Sequence, residues 1–130
     1  MVAKRLKLST LLTSAEVVAN RHRIEQVLVN FLTNAIRYTP EGETILVTTA
    51  DEGDTLRVGV ENRGVHLPEE QLGKVWDRFY RGDPSRNAAT GGTGLGLAIA
   101  KNILELHGSS YGVMNTAEGV LFYFDLRKQA

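Results

Sequence analysis

The clearest periodicity in the chain lies between Asn20 and Tyr38. Ile24, Val27, Leu28, Phe31, Leu32, Ala35 and Ile36 recur there at helical spacing. Asn20 can cap this helix, and Thr39-Pro40-Glu41-Gly42 ends it. At about 100° per residue, Gln26, Asn30, Asn34 and Arg37 fall in one narrow arc, roughly opposite the apolar stripe, with Tyr38 at its edge. The pattern then shifts to period two. Thr44 to Ala50 is β-rich, Asp51 to Asp54 is a turn, and Leu56, Val58 and Val60 alternate with Arg57, Gly59 and Glu61. Those two runs read as a hairpin. Pro68-Glu69-Glu70-Gln71-Leu72 starts a short helix with acids in its first turn. Helical spacing returns from Leu95 to His107, with Gly108 placed to cap it. Tyr111 to Asn115 and Val120 to Leu126 read as two final strands, the second with Val120, Phe122, Phe124 and Leu126 on one face. Leu6 to Leu12 supplies a first strand. The predicted architecture is an α/β two-layer sandwich, a mixed and largely antiparallel sheet with helices on one face.

Length and charge narrow the function classes. A chain of 130 residues forms one domain with a real core, not two. Residues 1–4 read as a start appended to that domain. The 15 basic and 15 acidic residues cancel, so no global field steers the chain to nucleic acid or acidic lipid. The absence of cysteine excludes disulfides and Cys-based metal sites. No apolar run approaches membrane-span length, and no signal-peptide core is visible. Residues 81–93 carry Gly, Pro, Ser and Ala without periodicity, a loop of lid-like length.

Two stretches carry candidate chemistry. In Gly91-Gly92-Thr93-Gly94-Leu95-Gly96-Leu97 four glycines precede an apolar helix. Glycines at a helix start let backbone N–H groups close on an anion that the helix dipole also favours, so the run points to phosphate. The second stretch is the polar arc of the first helix. Asparagine costs about half a kcal/mol or more against alanine in mid-helix, and Asn30 and Asn34 are stacked one turn apart. A carboxamide oxygen is a hard, neutral ligand for Mg²⁺, which takes only one or two protein ligands beside phosphates and water. Arg37 could meet phosphate oxygens and Tyr38 could stack on a base. The segment Val60 to Pro68, where a strand ends in a glycine turn, reads by itself as a plain connection.

Together and in this order, these stretches resemble the ATP-binding domain of sensor histidine kinases, in the GHKL ATPase superfamily. Gln26 to Pro40 is similar to that family's asparagine box, and Asn62-Arg63-Gly64-Val65-His66-Leu67-Pro68 to its first glycine box. Val75-Trp76-Asp77-Arg78-Phe79-Tyr80-Arg81 resembles the aromatic box, Gly92 to Leu97 the second glycine box, and Glu118 to Phe124 the closing strand motif. Asn62 to His66 and Asn115 to Phe122 also resemble the vancomycin-resistance sensor kinases.

The resemblance implies a Bergerat-type fold with ATP and Mg²⁺ as cofactors. It gives Asn30 the metal and puts Asn34 and Arg37 against phosphate, with Tyr38 beside the adenine. Gly92, Thr93, Gly94, Leu95, Gly96 and Leu97 would bind phosphates, and Arg81 would open the ATP lid over residues 81–93. Asn62, Gly64 and His66 would line the base site, with Trp76 and Phe79 packing under the lid. ATP-hydrolysing relatives carry Glu at the position of Gln26. Glutamine is a poor proton acceptor, which suits a kinase that spares ATP for a protein acceptor. The implied partners are a histidine-bearing dimerisation domain of the same parent and a response regulator, with the domain facing the cytoplasm below a membrane anchor.

Two residues depart from the family pattern. Asn62 replaces an Asp that accepts from the adenine amino group; one acceptor oxygen remains, but a neutral bond replaces a charge-assisted one, a difference of about 1 kcal/mol. His66 replaces a glycine, where a ring could crowd the base or stack on it. His22, His66 and His107 lack the phosphoacceptor context, so the chain reads as the catalytic domain of a longer kinase. Two alternatives stand beside that reading: a degenerate GHKL interaction module with weak ATP binding, and a stand-alone GHKL ATPase.

Overall fold

The computed structural model describes residues 6–11, 19–77 and 96–128. Its elements are β1 (Lys7–Leu11), α1 (Arg21–Tyr38), β2 (Thr44–Asp51), β3 (Thr55–Arg63), a 3₁₀ turn at Glu69–Gln71, α2 (Gly96–His107), β4 (Tyr111–Asn115) and β5 (Gly119–Arg127). The strands form one sheet in the order β1-β2-β3-β5-β4. β1 pairs with β2 in parallel, which requires a crossover, and α1 supplies it. The other three pairings are antiparallel. The mixed sheet with helices on one face is therefore as the periodicity predicts.

Local chemistry sets the ends of α1. The Asn20 side chain accepts from the Arg23 N–H at 3.1 Å, and the Thr39 N–H closes on the Ala35 carbonyl at 2.9 Å. Pro40 then cannot continue the helix. Ile24, Val27, Phe31 and Ala35 are buried, while Leu28 and Leu32 are partly buried. Two positions depart from the predicted stripe. Ile36 is 52% exposed, and Asn34 is only 8% exposed. The helix is rotated so that its asparagine arc flanks the core instead of opposing it, because the sheet takes a narrower strip than the seven apolar residues offer.

The core face of the sheet carries Leu56, Val58, Val60 and Asn62 of β3 opposite Leu126, Phe124, Phe122 and Val120 of β5. Leu97, Ala100, Ile103 and Leu104 of α2 join the same cluster. Phe31 is at its centre, with its ring 5.6 Å from Phe124 and 6.0 Å from both Phe122 and Trp76. Trp76 is itself a buried core residue and meets Tyr111 edge-on at 5.0 Å. Phe79 and residues 81–93 fall outside the described residues.

Among the described residues, no helix covers the other face of the sheet. Arg57 there grips Asp125 with two hydrogen bonds of 2.8 and 3.1 Å, and its guanidinium lies 4.2 Å from the Tyr123 ring centroid. Tyr123 lies over Gly112 and Leu121 over Gly59, where any Cβ would be in the way.

Candidate functional site: a buried amide in an apolar cavity

β3 continues two residues past the alternation visible in the sequence, and this places Asn62 on the core face. The residue is 1% exposed, and its Oδ1 has no hydrogen-bond partner among the described residues. A buried acceptor left unpaired costs about 1–3 kcal/mol, so a reason for it is expected in function. Asn62 borders a small cavity of about 60 Å³ with Asn34 and Tyr38 of α1. The remaining walls are Val65, Leu67, Val75, Leu97, Val120 and Phe122. An unpaired buried acceptor among mostly apolar walls suits a flat heteroaromatic ring that carries an amino group.

The second half of the site is the meeting of the helices. Asn30 is half-buried on α1, one turn before Asn34, and its Nδ2 donates to the Gly96 carbonyl at 2.9 Å. The α-carbon of Gly96 leaves ordinary contact space to Asn30: a Cβ there would lie 3.9 Å from that side chain. The asparagine arc and the end of the glycine run are therefore joined, although 66 residues separate them. With its nitrogen bonded to Gly96, the Asn30 amide has its oxygen left as an acceptor. The set of donors fits a metal held mainly by phosphate oxygens: among the described residues, no group of three or more His, Asp or Glu could hold one. Gln26 is exposed on the same helix, one turn before Asn30. Arg37 is half-buried, with its guanidinium 5.9 Å from the Tyr38 ring. Arg81, Gly92, Thr93, Gly94 and Leu95 lie outside the described residues.

His66 is not where a base-stacking residue would be. Its Nε2 donates to the Thr116 carbonyl at 2.8 Å, and the ring does not border the cavity. The left-handed position of this turn is Gly64, with φ 87°. Sequence reasoning puts the His66 ring beside the base; here it hydrogen-bonds to the Thr116 carbonyl. The ring is tied to the β4–β5 turn.

That turn is the part of the site sequence reasoning missed. The Gly64 N–H donates to the Glu118 carbonyl at 3.0 Å. The Leu67 N–H donates to Asn115 Oδ1 at 3.0 Å, and Asn115 Nδ2 returns a 2.8 Å bond to the Leu67 carbonyl. Thr116 Oγ1 donates to Glu61 Oε2 at 2.7 Å and accepts from the Gly119 N–H at 3.0 Å. Glu61 also accepts from Arg63 at 2.6 Å. Burial pushes the Glu61 carboxyl up, but the bonds from Arg63 and Thr116 outweigh it and hold it below the usual carboxylate range. The only visible signal for this network was the mix of Asn, Thr and Gly between the last two strands.

A family profile described as histidine kinase-, DNA gyrase B- and HSP90-like ATPase matches residues 19–130. The chain belongs to this family. Within it the similarity runs to sensor kinases. The sensor histidine kinase CusS of Escherichia coli K12 is 40% identical over 111 residues, which are 85% of this chain and 23% of CusS. The sensor protein VanSB of Enterococcus faecalis is 36% identical over 110 residues, again 85% of this chain and 25% of VanSB. The chain thus spans about a quarter of the length of these relatives. Among solved structures, the catalytic domain of the histidine kinase ThkA superposes with a TM-score of 0.79 at 34% identity, covering 95% of this chain and 79% of that one. ThkA has also been solved in complex with the response regulator TrrA, with a TM-score of 0.76 at 31% identity over 95% of this chain and 34% of that one. Full-length ShkA with AMPPNP gives 0.77 at 26% identity over 96% of this chain and 26% of that one. The domain therefore has the GHKL fold and resembles the catalytic domains of sensor histidine kinases. No helix among its described residues is long and apolar enough to cross a membrane.

Proposed function

We propose that this domain binds ATP with Mg²⁺ and presents the γ-phosphoryl group to a histidine on another domain of a longer sensor kinase, from which a response regulator takes it. The observation that carries the reading is Asn62, a buried amide whose oxygen is unpaired in an apolar cavity. The adenine amino group would donate to that oxygen, with Tyr38 and Leu97 flanking the ring. Asn30 would offer its oxygen to Mg²⁺, while Asn34 and Arg37 would face the phosphates beside the glycine run from Gly92 to Leu97. Phosphoryl transfer needs chiefly positioning and charge stabilisation, which this sparse set provides. Gln26 leaves the site without a general base for hydrolysis. In a parent sensor kinase, the domain would work in the cytoplasm beneath a membrane anchor, and its resemblance to the vancomycin-resistance sensor kinases points to signalling linked to antibiotic resistance.

Titration calorimetry with Mg·AMPPNP tests the proposal. Binding is expected, and Asn30→Ala should weaken it more with Mg²⁺ present than in EDTA. No binding at millimolar nucleotide, with binding restored by Asn62→Asp and His66→Gly, would favour the degenerate module. The tie between His66 and Thr116 speaks against that module, since the histidine leaves the cavity open.

A further inference from the structure

Beyond Arg63, the chain that walls the cavity leaves the sheet, yet it does not leave the ladder's hydrogen-bonding logic. Val65 and Leu67 face the cavity from a segment with no regular structure. The bonds that hold the segment come from the β4–β5 turn, some fifty residues later. Two of them are made by one side chain. Asn115 accepts from the Leu67 N–H at 3.0 Å and donates to the Leu67 carbonyl at 2.8 Å. A peptide group in a neighbouring strand would make the same pair of bonds. The carboxamide supplies both a donor and an acceptor, which no carboxylate, hydroxyl or aliphatic side chain can do with this geometry. His66 and Gly64 add one bond each to the carbonyls of Thr116 and Glu118.

We propose that Asn115 is a positioning residue for base recognition: its side chain acts as a surrogate strand that holds Leu67 and Val65 against the nucleotide base. The inference rests on the ATP-binding reading above and deepens it. Asn115 touches no ligand. It acts by fixing the wall against which the base packs, so its loss should fall on ligands that carry a base and spare those that carry only phosphates. Losing two exposed hydrogen bonds worth about 1 kcal/mol each corresponds at most to a factor of about 30, and with part of that reaching the ligand the loss should be about three- to tenfold.

The test compares Mg·AMPPNP with Mg·tripolyphosphate, the second measured by its competition for the first. Asn115→Ala should weaken AMPPNP about three- to tenfold and leave tripolyphosphate within error. Asn115→Asp keeps the acceptor for the Leu67 N–H and loses the donor, so it should fall between the two. Far-UV circular dichroism and melting establish that each variant is folded, and Asn115→Ser, which retains one bond, stands in if the alanine variant is not. Unchanged AMPPNP affinity in Asn115→Ala overturns the inference alone. An equal loss for both ligands also overturns it, because that is general loosening of the domain. Failure of the unaltered chain to bind either ligand removes the ATP-binding reading and this inference with it.

Discussion

Replacing Asn62 with leucine should stabilise the unliganded domain and abolish its affinity for nucleotide. Asn62 is 1% exposed and its Oδ1 is unpaired, so the native state carries a desolvation cost of about 1–3 kcal/mol. Leucine removes that acceptor and places methyl groups toward Val65, Val120 and Phe122, its co-residents around the cavity. The added volume can enter the cavity of about 60 Å³, which limits the overpacking that would otherwise cost about 1–3 kcal/mol. The net gain should reach about 1–2 kcal/mol, or roughly 3–10 °C in Tm for a domain of this size. Thermal melting with and without Mg·AMPPNP measures both halves. Nucleotide at a hundred times its Kd stabilises a binding protein by about 2.7 kcal/mol; the unaltered chain should show that shift and the leucine variant should show none. A variant that melts well below the unaltered chain would mean Asn62 is a structural amide with a partner in solution. A variant that keeps the full ligand shift would mean the cavity is not the base site. Either result refutes the reasoning.

Other substitutions test the frame around the site. Gly119→Ala would drive a Cβ into the Asn62 carbonyl and within 2.8 Å of Arg63 Cα, both backbone atoms of the adjacent strand. Urea unfolding should show a loss of more than about 2 kcal/mol, whereas small losses would mean the ladder bends easily there. Phe31→Ala removes a 1% exposed ring from three aromatic contacts and should cost about 3–5 kcal/mol by the same assay. Glu61 gives a pH signature. Its folded pKa lies below the unfolded value, so the unfolded chain takes up the proton first. The stability it supplies is complete above the carboxyl's ordinary value of 4.5 and is lost as pH falls through the folded pKa. Glu61→Gln should flatten that acid limb in pH-dependent melting, and an unchanged limb would show that other carboxylates control it.

The sheet and both helices were legible because their apolar residues keep a period against buried faces. β5 is the clearest case: Val120, Phe122, Phe124 and Leu126 alternate in the sequence and are all buried. The asparagine arc was legible from composition, since Asn30 and Asn34 have no propensity reason to be in mid-helix. How deep the arc lies was not, because the rotation of α1 depends on which apolar residues the sheet accepts, and Ile36 was refused. Asn62 was harder. Glu61-Asn62-Arg63 looks like a polar strand end, but Glu61 is buried on one face by Arg63 and Thr116 while Asn62 is buried on the other. Pairing across the sheet decides this, and it has no local signature. The same is true of Asn115, whose partner is 48 residues away.

The cavity draws its walls from both ends of the chain, from Asn34 of α1 to Phe122 of β5. On the proposed reading of this cavity as the base site, chain order makes nucleotide binding a late event. A nascent domain that has emerged only as far as α2 has Asn30 and Gly96 in hand, but it has no Val120 or Phe122 to close the pocket and no β4–β5 turn to hold Leu67. Contacts of this sequence separation form slowly, because loop closure must precede them. Nucleotide bound as proposed would reward the fold only after its last strand is in place, so ATP would act as an inspector of finished domains and give no help to unfinished ones.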